Sequence, residues 1–261
     1  MKHIELFAGC GGLTLGLESA GFDLIFANEL SPMAAETFAY NLLSEDISNP
    51  QAPPKRVHWL ASNFAKSDIH ARIMENPLTI GVAPEFLDVS IDDTKLLDHL
   101  KGSLVIGDIV RLNNFLAHEG MAQRIREHLG NGDIDLLSGG PPCQSFSMAG
   151  LRDLSNDRNR LPWEFVKTVE LLKPKIAVLE NVSGILRAFK IDDKRYFAWF
   201  EVCKAFAEKG YLPVCFHVNA KQIGVPQNRP RFLLFAIRED ISKAMMNSLG
   251  PVFSELLIKA S

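Results

Sequence analysis

The 261-residue chain has only four cysteines, at positions 10, 143, 203 and 215, and no two of them form a Cys-x-x-Cys pair. Its seven histidines are scattered without ligand spacing. Neither a disulfide framework nor a zinc site is therefore expected. No stretch approaches the roughly 18 consecutive apolar residues of a membrane span. The N-terminus, Met-Lys-His-Ile-Glu-Leu-Phe-Ala-Gly, lacks the apolar h-region and cleavage site of a signal peptide, so a cytoplasmic protein with no membrane partner is expected. Internal repeats and low-complexity tracts are absent too. The net charge of −3 gives no overall attraction to a polyanion. That charge is uneven: −5 over residues 1–45, −2 over 46–101 and +4 over 102–261, so one basic face could still meet one.

What is present is a soluble, α/β pattern, 47% hydrophobic and 23% charged. Residues 3–8 and 24–28 are short, nearly continuous apolar runs, and 13–20 between them is amphipathic, which predicts a β-α-β unit with a buried parallel sheet. Similar runs recur at 104–106, 134–137, 176–179, 214–218 and 232–237, with helical patterns at 163–172 and 197–209. A doubly wound, Rossmann-like parallel sheet of about seven strands would absorb them all. Residues 46–101 carry prolines at 50, 53, 54, 77 and 84, lack the alternation, and are expected to be an insertion. After residue 238 only 252–259 is amphipathic, with no further strand.

The most informative turn is Asp135-Leu-Leu-Ser-Gly-Gly-Pro-Pro-Cys-Gln144. A Gly-Gly pair permits unusual backbone angles, and Pro141 and Pro142 fix φ and remove two donors. Cys143 is thus presented at a defined place on a loop, whereas an ordinary free cysteine is a buried small hydrophobe. A thiol held this way suits a hydrolase, a redox enzyme or a transferase.

Other strand ends also carry chemistry. The first ends in Phe7-Ala-Gly9-Cys-Gly11-Gly12, a glycine turn that lets a ligand approach the backbone and the following helix. Thr14 stands where the third glycine of Gly-x-Gly-x-x-Gly belongs, so the turn is also read as a plain connector. Glu29, about 20 residues on at the end of the second strand, is placed to bind a ribose hydroxyl. Asp108 offers a second carboxylate, and either acid could instead cap a helix. Glu180 follows another buried strand, where a carboxylate is costly unless it is paired or used while protonated, so it is read as a site residue or as a salt-bridged edge residue. Gln227-Asn-Arg229-Pro-Arg231 precedes the last strand, and the two arginines, alternating on extended chain, would share one face.

In this order the motifs resemble those of the cytosine-C5 DNA methyltransferases, over residues 1–45 and about 102–238. The resemblance implies S-adenosylmethionine as cofactor, held by Phe7, Gly9, Gly11 and Gly12, with Glu29 on the ribose, Asp108 on the adenine amine, Ile109 beside the ring and Leu161 near the methionine end. It implies a DNA (cytosine-5-)-methyltransferase acting on double-stranded DNA, in a restriction-modification or similar system. Cys143 would add to cytosine C6, Glu180 would hold N3 and the exocyclic amine, and Arg231 would steady both base and Glu180. Arg229 would lie toward the cysteine or the DNA backbone, and Pro142 and Gln144 would shape a loop, continuing through 145–150, that closes on the extruded base.

No stretch after Arg231 resembles the family's target-recognition region or its closing motifs. Residues 1–45 and 102–238 are accordingly expected to be the catalytic domain, 46–101 an insertion of unknown role, and 239–261 a tail leading to a missing recognition region. A second polypeptide carrying those parts is one expectation. The alternatives left open are a tRNA cytosine-C5 methyltransferase, a non-catalytic or split subunit and, more distantly, an NAD-dependent oxidoreductase.

Overall fold

The computed structural model describes residues 1–47, 54–60, 86–87, 97, 99–118, 120–142, 160–191 and 194–248. In chain order these form β1 (Lys2–Leu6), α1 (Gly12–Ser19), β2 (Asp23–Glu29), α2 (Pro32–Phe38), β3 (Val57–Leu60), β4 (Phe86–Leu87), β5 (Ser103–Ile106), α3 (Ile109–Ala117) and α4 (Met121–His128). There follow β6 (Leu136–Gly139), α5 (Leu161–Leu172), β7 (Ile176–Val182), β8 (Ala188–Ile191), β9 (Lys194–Phe197), α6 (Ala198–Glu208), β10 (Tyr211–Asn219) and β11 (Pro230–Arg238).

Nine strands make one sheet in the order β10-β11-β7-β6-β1-β2-β5-β3-β4, and β8 and β9 pair as a separate antiparallel hairpin. The seven expected strands are there as β5-β2-β1-β6-β7-β11-β10. Two more, β3 and β4, lie inside the stretch read as an insertion, and they extend the edge beyond β5 in parallel. The sheet is mixed rather than all parallel, because β11 runs antiparallel to both β7 and β10. The connection from β10 to β11 spans only residues 220–229, too short for the helical crossover that a parallel neighbour needs. Residues 239–248 are helical, beyond the last expected strand and not foreseen from the sequence; the amphipathic stretch 252–259 lies outside the described residues.

Both faces of the sheet are covered, which explains why its central strands read as continuous apolar runs. In β5, Val105 enters the larger core with residues of α3, α4, α5 and α6, while Leu104 and Ile106 enter a smaller core with Ala35 and Phe38 of α2. Phe26, Phe165, Phe206 and Phe232 are fully buried in the larger one. Buried polar groups tie elements together. Asn113 on α3 donates to the Glu164 carbonyl and carboxylate at 3.0 and 2.8 Å and accepts from Thr168 at 2.7 Å, which fixes α3 against α5.

Strand order turns back at β1: β2 and β5 lie to one side of it, β6 and β7 to the other. In open α/β sheets the crevice outside the carboxyl ends at such a switch point is where ligands bind.

Candidate active site

Strand register brings the sequence motifs to one edge. Leu6 is in register with Asn28 on β2 and with Gly139 on β6, Glu29 with Ile106 on β5, and Gly139 with Leu179 on β7. Within a residue or two of these positions stand Phe7, Glu29, Asp108, Gly140 and Glu180. Because β11 is reversed, its first residues reach the same edge: Leu233 faces Glu180, and Arg231 faces Val182.

The β1 turn is built by backbone geometry that glycine permits. Phe7, Gly9 and Gly11 all have positive φ, at 54°, 54° and 85°. For Phe7 this is a strained, left-handed conformation. A Cβ on Gly11 would strike Leu42 and Phe38, so only glycine fits there. Over Gly9 and Gly12, by contrast, a Cβ would meet nothing within 4 Å: the turn presents bare backbone to open space. Glu29 holds the turn in place. Its Oε2 accepts from the Gly9 N–H at 2.7 Å and its Oε1 from the Ser31 N–H at 2.8 Å. Each carboxylate oxygen has a second lone pair left for a hydroxyl.

Asp108 does cap a helix, as one of its two readings had it: its Oδ1 accepts from the Val110 N–H at 2.6 Å at the start of α3. The neighbouring Ile109 is 4% exposed and belongs to the larger core. Asn28 locks the ends of β2 and β5 together, donating to the carbonyls of Val105 at 3.0 Å and Gly107 at 3.1 Å. Leu161 opens α5 and, with Phe7, packs partly buried against the larger core.

At β6 the two glycines serve close approach rather than unusual angles, since neither has positive φ among the described residues. A Cβ on Gly139 would lie 2.5 Å from the Leu6 carbonyl oxygen, and one on Gly140 3.1 Å from Glu180 Oε2. The Glu180 carboxylate thus rests directly on the strand end that leads to the cysteine. Arg231 Nε lies 2.6 Å from Glu180 Oε1, with side chains 19% and 35% exposed. That N–H is not aimed at the oxygen, so the contact is charge pairing, and Nη1 donates to the Pro230 carbonyl at 2.9 Å. Arg229 precedes the strand and is exposed. Asn181, 4% exposed, donates to the Pro141 carbonyl at 2.9 Å and pins the start of the turn. Pro142 is half-buried; Cys143, Gln144 and residues 145–150 lie outside the described residues.

Three site-supporting groups were not foreseen from the sequence: Asn28, Asn181 and the Glu5–Thr14 pair. Glu5 is 3% exposed beneath the glycine turn, accepting from the Thr14 hydroxyl on α1. Burial pushes its carboxyl up to about 7, and the Thr14 hydrogen bonds only partly offset this. The signal was there, since an acid interrupts an otherwise apolar strand and Thr14 replaces an expected glycine. Among the described residues no group of His, Cys, Asp and Glu could hold a metal ion, and no helix is long and apolar enough to cross a membrane.

A mixed seven-strand core with a glycine turn at β1, acids at the ends of β2 and β5, and a carboxylate paired to arginine and seated against Gly140 at the end of β6 defines a class. Residues 1–54 and 101–256 match the family described as C-5 cytosine-specific DNA methylase, and the chain belongs to that family. It is 30% identical over 240 residues to the type II methyltransferase M.XorII of Xanthomonas oryzae pv. oryzae, covering 91% of this chain and 41% of that protein. To the type II methyltransferase M.DdeI of Desulfomicrobium norvegicum it is 28% identical, over 92% of this chain and 41% of that one. The chain therefore spans under half the length of these relatives. The fold is shared with a crystal structure described as that of a DNA modification methyltransferase encoded within an E. coli prophage, with a TM-score of 0.56, 23% identity and coverage of 93% of this chain and 48% of that one.

Proposed function

We propose that this chain carries the catalytic centre of an S-adenosylmethionine-dependent DNA cytosine-C5 methyltransferase, with Cys143 as nucleophile. The observation that carries it is the Glu180–Arg231 pair seated against Gly140, three residues before that cysteine. The glycine turn fits the cofactor: it offers open space over Gly9 and Gly12, with Glu29 and Asp108 at adjacent strand ends. On this reading Phe7, Gly9, Gly11, Gly12 and Leu161 would hold it, Glu29 its ribose and Asp108 with Ile109 its adenine. S-adenosylmethionine supplies, when bound, an electrophilic methyl group.

Cytosine C5 is too poor a nucleophile to take that methyl unaided. Addition of the Cys143 thiolate to C6 moves electron density onto C5. Glu180 supplies a proton to N3 through a hydrogen bond and accepts from the exocyclic amine, which neutralises the negative charge that develops on the ring during addition. Arg231 fixes the position of the Glu180 carboxylate, and Arg229, exposed beside it, meets the DNA backbone. Loss of the C5 proton and departure of Cys143 restore the aromatic ring. C6 is buried in stacked duplex, so the cytosine must be extruded onto the Pro142–Gln144 loop.

Because the chain covers 41% of its first relatives, we propose further that target recognition resides in protein beyond these 261 residues, such as a second polypeptide, and that the whole acts in a restriction-modification or similar system. Methyl transfer from labelled S-adenosylmethionine to duplex DNA, with the nucleoside product identified, tests the reading. Product confined to 5-methylcytosine is expected, and Cys143→Ser should abolish it while leaving cofactor binding near normal. Retained turnover in that variant, or methylation of tRNA in place of DNA, would overturn it.

A further inference from the structure

Cys203 and Cys215 are absorbed by nothing in the proposed mechanism, yet the fold brings them together. Cys203 lies on α6, 8% exposed, and Cys215 on β10, the edge strand of the sheet, where it is exposed. The chain turns at Gly210, with φ 80°, so that α6 packs back on β10 and the two sulfurs stand 3.5 Å apart in hydrogen-bond contact. We propose that Cys203 and Cys215 form a redox-active dithiol that hydroperoxides convert to an intramolecular disulfide.

The two thiols are unequal in a way that assigns their roles. The two sulfurs share a hydrogen bond in which either can donate; it holds the Cys215 thiol below its ordinary range, while the same bond and burial push Cys203 up. The thiolate, not the thiol, attacks peroxide, and it must be reachable. Cys215 is the exposed thiol of the two, and its downward shift favours the thiolate. Its sulfur takes one peroxide oxygen, becoming a sulfenic acid as the O–O bond breaks and the other oxygen leaves as hydroxide. Cys203 then gives up its proton and attacks the sulfenic sulfur; the S–O bond breaks and a second hydroxide departs. The two hydroxides take up the two thiol protons. In total, two thiols and one hydrogen peroxide give one disulfide and two waters. Closing the sulfurs from 3.5 Å to a bond of about 2.05 Å asks for side-chain rotation and a small approach of α6 to the strand. Cys10 is exposed as well, but it lies on the β1 turn, at the opposite end of the molecule's motif order, and no thiol contact is made by it among the described residues.

The test is a brief exposure of the full chain to a slight excess of hydrogen peroxide, followed by acid trapping, tryptic digestion without reductant and mass spectrometry. Residues 196–204 and 210–221 should appear as one cross-linked species, two hydrogens lighter than the pair and separated by dithiothreitol. In Cys203→Ala, dimedone should label Cys215 at least several-fold more than in the wild type, because the sulfenic acid has lost its partner. Sulfinic acid at Cys215 of the wild type without the cross-link, or equal dimedone labelling in both proteins, would overturn the proposal.

Discussion

Two ionisable side chains of β1 lie buried on the same face and respond to pH in opposite senses. Glu5 is held near a pKa of about 7 by burial, against an ordinary value near 4.5. The folded state keeps its proton longer than the unfolded chain does, so its contribution is full below about 4.5 and is lost as pH rises to 7 and beyond. At about 1.4 kcal/mol per pH unit this is on the order of 3 kcal/mol. His3, fully buried with neither ring nitrogen hydrogen-bonded and its ring edge-on to Phe22, is lowered to about 4 by the same desolvation. Its contribution is full above about 6.5 and is lost as pH falls toward 4. Between about 4.5 and 6.5 the two slopes nearly cancel. Urea unfolding of Glu5→Gln should therefore show stability rising with pH over that window, where the wild type is flat, and should match or exceed the wild type at pH 8; parallel profiles would contradict this. Glu29 is a separate case, since its carboxylate anchors the turn through two backbone N–H groups. For Glu29→Ala, calorimetry should show S-adenosylmethionine binding weakened roughly 10-fold or more, the size of a lost charged hydrogen bond.

At the scale of elements, the site depends on β11 running against its neighbours. Its reversal brings Arg231 to the carboxyl ends of the parallel strands, diagonally across from Glu180 and within charge-pairing distance. Arg231→Ala should lower methyl transfer by about 100-fold or more while the cofactor dissociation constant stays put. Arg231→Lys should restore little, because a point charge on a flexible stem does not reproduce the guanidinium plane. A fall in cofactor affinity equal to the fall in turnover would contradict the assignment. Asn181→Ala should also slow transfer, since the Pro141 carbonyl loses its donor and the turn before Cys143 loses its anchor. Much of this was legible in the chain. The glycine turn after β1 and the strand-end acids each depend on residues adjacent in sequence. The direction of β11 was missed: a strand's apolar alternation is the same read either way, and its one signal was the short connection between the runs 214–218 and 232–237. Asn181 was equally opaque: its partner is 40 residues distant, and an asparagine after an acid carries no mark of what it will hold.

Across the whole molecule, a sheet covered on both faces carries the edge proposed as the active site, with parts from β1, β2, β5, β6, β7 and β11. Strands β3 and β4 extend the far edge beyond β5, well away from β7 and β11 in the strand order. Their apolar content could be read from the sequence, but with prolines around them their pairing could not. If target recognition resides outside these residues, duplex affinity and transfer should both rise when the polypeptide carrying the recognition region is supplied. Cofactor binding should not change, because every group proposed to hold it is already present.

The central claim is that Cys143 is the nucleophile toward cytosine C6, and a stalled reaction tests it most directly. With duplex DNA containing 5-fluorocytosine and S-adenosylmethionine present, the fluorine at C5 cannot leave as a proton, so the enzyme should remain covalently attached. Peptide mapping of the adduct, with the recognition polypeptide included where transfer requires it, should place the DNA on Cys143 and find none in Cys143→Ser. An adduct on Cys10, or the absence of any adduct in a preparation that methylates ordinary cytosine, would contradict the account.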